Sequence, residues 1–167
     1  MRQSNVIAYC GMMAALSVVI MILGAALGLG LYISPMLAGL CLIPIGKKFG
    51  TKHQWLLWAV VSLLCFILVA EPEQNLMYLT LFGLYPILYP SFAKLPRRLI
   101  WPCKLLYFNF VVVAVEALVM LLLVPEIMTP AMALIMLALG NAIFVMYDRL
   151  IPRAHLLFRK YLGRFKR

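Results

Sequence analysis

Glu116 and Asn141 are an ionisable and an amide side chain near the middles of two long apolar runs, Leu105 to Val124 and Ala131 to about Leu150. Polar groups at such depth in hydrocarbon are costly; they mark ion, proton or solute pathways, or clamps between helices. Asn109 precedes Glu116 by seven residues, and Asn141 precedes Asp148 by seven, so each pair shares a helix face about two turns apart. If one run ascends and the next descends at about 1.5 Å per residue, Glu116 and Asn141 reach similar depth, within range of a mutual hydrogen bond. Two readings stand for them: an interhelical clamp worth about 0.6–2 kcal/mol, or groups that meet a ligand or ion. A second polar stretch, Glu71-Pro72-Glu73-Gln74-Asn75, precedes Tyr78 and Tyr85. Its carboxylates could rim an outward-facing site with the tyrosines below, a pairing that suits a flat or cationic organic solute. The plainer reading is a solvated loop above an interfacial aromatic belt. Asp148 beside Arg149 reads as an ion pair at a helix end.

Other chemistries lack their residues. The four cysteines, Cys10, Cys41, Cys65 and Cys103, stand singly, and His53 and His155 fall among basic residues at the ends of apolar runs. There is no nucleophile–base–orienter set and no glycine-rich phosphate loop ahead of a helix. Neither enzymatic activity nor a cofactor nor a metal is expected. Uphill transport would need energy from a partner or an ion gradient.

The elements that hold these groups are set by composition. Of 167 residues, 66% are hydrophobic and only 12% charged, with a mean hydropathy of +1.03. Soluble domains carry about 45–50% apolar and about 25% charged residues. The chain reads as an all-α integral membrane protein with six transmembrane helices. The expected spans are Asn5–Leu27, Tyr32–Ile45, Trp55–Ala70, Leu76–Leu88, Leu105–Val124 and Ala131–Leu150, all within a domain of residues 1–153. The second is short and carries Pro and Gly at its end, which suits a tilted or re-entrant helix. Trp55 and Trp58 suit an interfacial belt. Residues 154–167 form a tail with five basic residues among Leu156, Leu157, Tyr161, Leu162 and Phe165, the spacing of an amphipathic helix on the membrane surface.

Charge fixes the orientation. With six spans and both termini cytoplasmic, all fifteen Lys and Arg residues fall inside, whereas Glu71, Glu73 and Glu126 fall outside. The net charge of +10 therefore reads as a topology signal and an attraction to anionic lipid headgroups, not as a nucleic-acid surface. The expected location is the cell membrane, multi-pass, of a bacterial plasma membrane. On the first span, Ala8, Gly11, Ala14, Ala15, Gly24, Ala25 and Gly28 form rows of small residues, with Gly11 and Ala15 a small-xxx-small pair. Such rows admit another helix closely, from the same chain or from a partner.

A six-span chain of this size that opens with GMMAALSVVIMILGAALGLG resembles the substrate-binding S components of energy-coupling factor (ECF) transporters. The resemblance implies a subunit that captures a small vitamin-like solute and is energised by a membrane coupling subunit and cytoplasmic ATPases. It implies that Gly11 and Ala15, in place of the family's more usual alanine pair, face the coupling subunit. It implies a solute site from the outer loops and the outer halves of the last three spans, where this chain supplies Glu71, Asn75, Tyr78, Glu116 and Asn141. Motifs of the riboflavin, thiamine, biotin and cobalt or nickel members do not stand out. Two rival readings remain: a non-transporting membrane scaffold resembling the cell-shape protein MreD, and a small lipid-handling or ion-coupled carrier.

Overall fold

The structure, a computed structural model, describes residues 3–28, 32–96, 98–122 and 130–164. Glu126, Arg97 and the last three residues of the tail, with Phe165, lie outside the described residues. All regular structure among the described residues is helical. Helix α1 (Gln3–Ala26) is followed by α2 (Ile33–Leu40), α3 (Leu42–Phe49), α4 (Thr51–Leu68) and α5 (Pro72–Met77). A π-helical turn, Tyr78–Phe82, then leads to α6 (Tyr85–Phe92), α7 (Ile100–Leu122) and α8 (Pro130–Arg164).

Local chemistry explains the boundaries. Gly28, at φ +67°, turns the chain out of α1. The expected second span is divided at Cys41, whose N–H bonds Ala38 O at 3.1 Å, where Pro44 leaves the Leu40 carbonyl without its usual donor. Gly50, at φ +92°, reverses the chain between α3 and α4. Pro72 stands at the start of α5, where its missing N–H costs nothing.

Among the described residues, four helical stretches are long and apolar enough to cross a membrane: Ser4–Ala26, Thr51–Leu68, Ile100–Leu121 and Leu134–Ala154. The second and fourth expected spans are helical too, but each is broken, at Cys41 and at the π turn. Helix α8 remains helical through Pro152 to Arg164 and so takes in the described part of the expected tail.

The helices enclose two cores. One gathers Met21, Ala38, Val61, Cys65 and Tyr78 from α1, α2, α4 and the π turn; the other gathers Phe82, Tyr85, Phe108, Phe144 and Tyr147. The π turn contributes to both and joins them. Large apolar side chains are exposed outside, among them Ile67, Leu106, Phe110 and Leu121. Many of the polar side chains turn inward, including Gln54, Gln74, Asn75, Lys104 and Asp148. A surface of that kind is made for hydrocarbon, as a multi-pass membrane protein requires. Glycine permits the closest approaches. A Cβ on Gly24 would overlap Ser34, and one on Gly39 would overlap the Phe82 carbonyl and stand 2.7 Å from Tyr147 Oη.

Candidate functional site

The broken fourth helix sets the geometry. In the π turn the Gly83 N–H bonds Tyr78 O at 2.8 Å, so Leu79 O loses its ordinary donor. Pro86 has no N–H to offer Phe82 O. Both orphaned carbonyls are claimed by side chains of other helices. Trp58 Nε1 of α4 donates to Leu79 O at 3.1 Å, and Tyr147 Oη of α8 to Phe82 O at 2.8 Å. Tyr107 Oη of α7 donates to Thr80 O at 2.6 Å. Three aromatic donors thus hold the bend, and the bend holds α5 with Glu73 over the end of α7.

There Glu73 and Glu116 meet. Their carboxyls are hydrogen-bonded to each other, and Tyr32 lies within electrostatic reach of both. Burial lifts the Glu73 carboxyl to about 7, and the Glu116 charge, the hydrogen bond to Glu116 and the nearby Glu71 charge add to the rise. Proximity of a second carboxyl disfavours the charged form of Glu73, in the same direction as its burial. Beside it a cleft of about 270 Å³ opens between α7 and α8, lined by Tyr32, Val112, Glu116, Ala117, Met136 and Leu137. The arrangement is an apolar slot lined by the Tyr32 ring and the Glu116 carboxyl, with Glu73 against that carboxyl.

The residues singled out in the sequence are distributed as follows. Glu116 lines this cleft, but its partner is Glu73, not Asn141. Asn141 pairs with Asn109: Nδ2 of each donates to Oδ1 of the other, at 2.8 and 3.2 Å. The same amides also bond the carbonyls of Leu105 and Leu137, at 2.9 and 2.8 Å. This closed amide clamp sits one turn from Leu137 in the cleft wall. Glu71 is exposed. Asn75 turns back to Val69 O at 3.0 Å, and Tyr78 is fully buried in the first core. Tyr78 Oη, Asn75 Oδ1 and Gln74 Oε1 have no hydrogen-bond partner among the described residues. Gly11 and Ala15 are exposed on α1, and nothing lies within 4 Å of a Cβ built on Gly11. Tyr32 lines the cleft, and Glu73 stands against Glu116 beside it. Glu73 was visible as part of the acidic loop; Tyr32 follows only once the start of α2 is placed beside α7.

Asp148 departs from its expected role. It is buried and pairs with Lys104 Nζ of α7 at 2.6 Å, while Arg149 is exposed. Tyr85 Oη donates to the same carboxylate oxygen. Lys104 also stands over the rings of Tyr89 and Trp101, 4.6 and 5.7 Å from their centroids. Tyr85 therefore belongs to an inner ion-pair cluster and does not line the cleft. A cation satisfied on one side by carboxylate and on the other by aromatic faces is a structural lock between α6, α7 and α8.

Among the described residues no group of three or more His, Cys, Asp or Glu is placed to hold a metal ion. No protein-family model matches the chain, and neither a curated protein nor a solved structure is similar to it.

Proposed function

We propose that this chain is a membrane-embedded capture subunit of an ECF-type importer, which binds a small vitamin-like solute from outside. In this reading six helical passages cross the bilayer, the second and fourth as broken helices, and both termini are cytoplasmic. Partner ATPase and coupling subunits supply the energy. The observation that carries the reading is the Glu73–Glu116 carboxyl pair beside the apolar cleft under Tyr32. It lies at the end of α7 remote from Lys104, on the side the charge distribution assigns to the exterior. A solute with an apolar body and one cationic group fits it: the body enters the slot, and the cation meets the two carboxyls. Ala15, exposed on α1 and outside the groove that Gly11 lines, provides the close-approach face for the coupling subunit.

The test is thermal unfolding of the detergent-purified protein with organic cations of vitamin size. A binder stabilises the fold by RT ln(1 + [L]/Kd), about 2.7 kcal/mol at a hundredfold excess over Kd. Glu116→Gln should abolish that gain without unfolding the protein. Native mass spectrometry from the source membrane should show a retained solute or copurifying ATPase and coupling subunits. An empty protein bound only to a cell-wall assembly protein would instead make the chain a scaffold.

A further inference from the structure

We propose that the groove between α1 and α4 holds one acyl chain of an anionic phospholipid, with the lipid phosphate at the N-terminus of α4. The groove measures about 540 Å³; Cys10, Gly11, Leu56 and Val60 line it, and His53 lies at one end. It is at the opposite end of α4 from the acidic loop. A methylene takes slightly less than the ~30 Å³ of a liquid water molecule, so the groove has room for about one chain of fatty-acid length. Its direction also fits. From Val6 to Ala14 on α1, and from His53 to Val60 on α4, the walls run about 10–12 Å along the helix axes. One leaflet of hydrocarbon is about 15 Å deep.

Charge complementarity decides which lipid. Helix α4 starts behind Gly50 with no side-chain cap, so the positive end of its dipole is open at the groove mouth. Lys52, next in the first turn, is exposed. His53 Nδ1 lies 2.8 Å from Phe49 O, which holds the imidazole at that mouth. Lys48 Nζ is fixed nearby, 4.4 Å from the centroid of the Tyr9 ring. A zwitterionic lipid fills the apolar walls equally well but gains no net attraction from Lys48 and Lys52. The competing occupant, a transmembrane helix of another protein, needs no anionic headgroup.

The experiment uses delipidated full-length protein in detergent, titrated with dioleoyl phosphatidylglycerol or dioleoyl phosphatidylcholine and read by native mass spectrometry. One phosphatidylglycerol should be retained, preferred about fivefold for each cation engaged. Lys52→Gln should lower that preference, and Lys52→Gln with Lys48→Gln should remove most of it. Val60→Trp, a substitution at an exposed wall position, should lose both lipids while the unfolding temperature holds. Equal retention of the two lipids overturns the proposal. So does a Val60→Trp protein that keeps phosphatidylglycerol at wild-type stoichiometry, or a copurifying helix whose removal leaves the groove without lipid preference.

Discussion

At the scale of single residues, the decisive fact is which polar groups found each other. Glu116 faces Glu73 across α5 and α7, and that contact has a pH signature. Glu73 binds its proton more tightly in the folded chain than in the unfolded one, since its value rises from 4.5 to about 7. The folded state then holds more protons between those limits, and stability falls as pH rises through that window. Unfolding temperatures measured from pH 4 to 8 should decline toward neutrality and level off above it. Glu73→Gln should flatten the profile and raise it at pH 8. A wild-type curve that rises with pH would contradict the raised Glu73 carboxyl. The Lys104–Asp148 pair predicts the opposite of resilience. Asp148→Asn or Lys104→Met alone leaves one partner buried and should cost about 3–5 kcal/mol, whereas the double apolar replacement should recover much of that loss. Chemical denaturation of the three variants measures it.

At the scale of elements, the bend at Tyr78–Phe82 is the feature on which the site depends. Tyr147→Phe deletes one hydroxyl and leaves Phe82 O bare in the core, a loss of about 1–3 kcal/mol. Gly39→Ala should cost a similar amount for a different reason, because the added methyl overlaps that same carbonyl. Thermal unfolding of both proteins checks the pair. Part of this was legible in the sequence. Gly83 and Pro86 announce a break, and the seven-residue spacings put Asn109, Glu116, Asn141 and Asp148 on inward faces. The partners were not legible, because they depend on how far each helix is rotated about its axis. A rotation of α7 that turns Glu116 toward α5 leaves Asn109 for Asn141, and nothing local to either helix encodes the choice. Trp58 has the composition of an interfacial anchor; only its neighbour's missing hydrogen bond makes it a donor to the interior.

At the scale of the whole molecule, composition alone carried the environment. A chain with this hydropathy must put its carbon outside and its polar groups within, and it does. The passage count is less directly written. Four helices qualify as single spans, and two further expected passages are interrupted where Pro and Gly demand it. The proposed orientation, with both termini inside, predicts that cysteines introduced at Ala70 react with an impermeant maleimide from outside intact cells, and those at Thr51 or Ala93 only after permeabilisation. The native cysteines are first replaced by serine or alanine. Labelling of Ala93→Cys in intact cells would rule out the six-span arrangement.

The borrowed hydrogen bonds of the fourth helix also bear on the order in which the chain can be made. While it is being synthesised, the segment from Pro72 to Phe92 enters the lipid before two of its three donors exist, since Tyr107 and Tyr147 lie downstream. Until α7 and α8 arrive, the carbonyls of Thr80 and Phe82 face a medium that offers them nothing. That segment must therefore wait, at the translocon wall or against a chaperone, and it settles only when the last helices close around it. A nascent chain stopped before Ile100 should be a substrate for membrane proteolysis, and one carried through Asp148 should not.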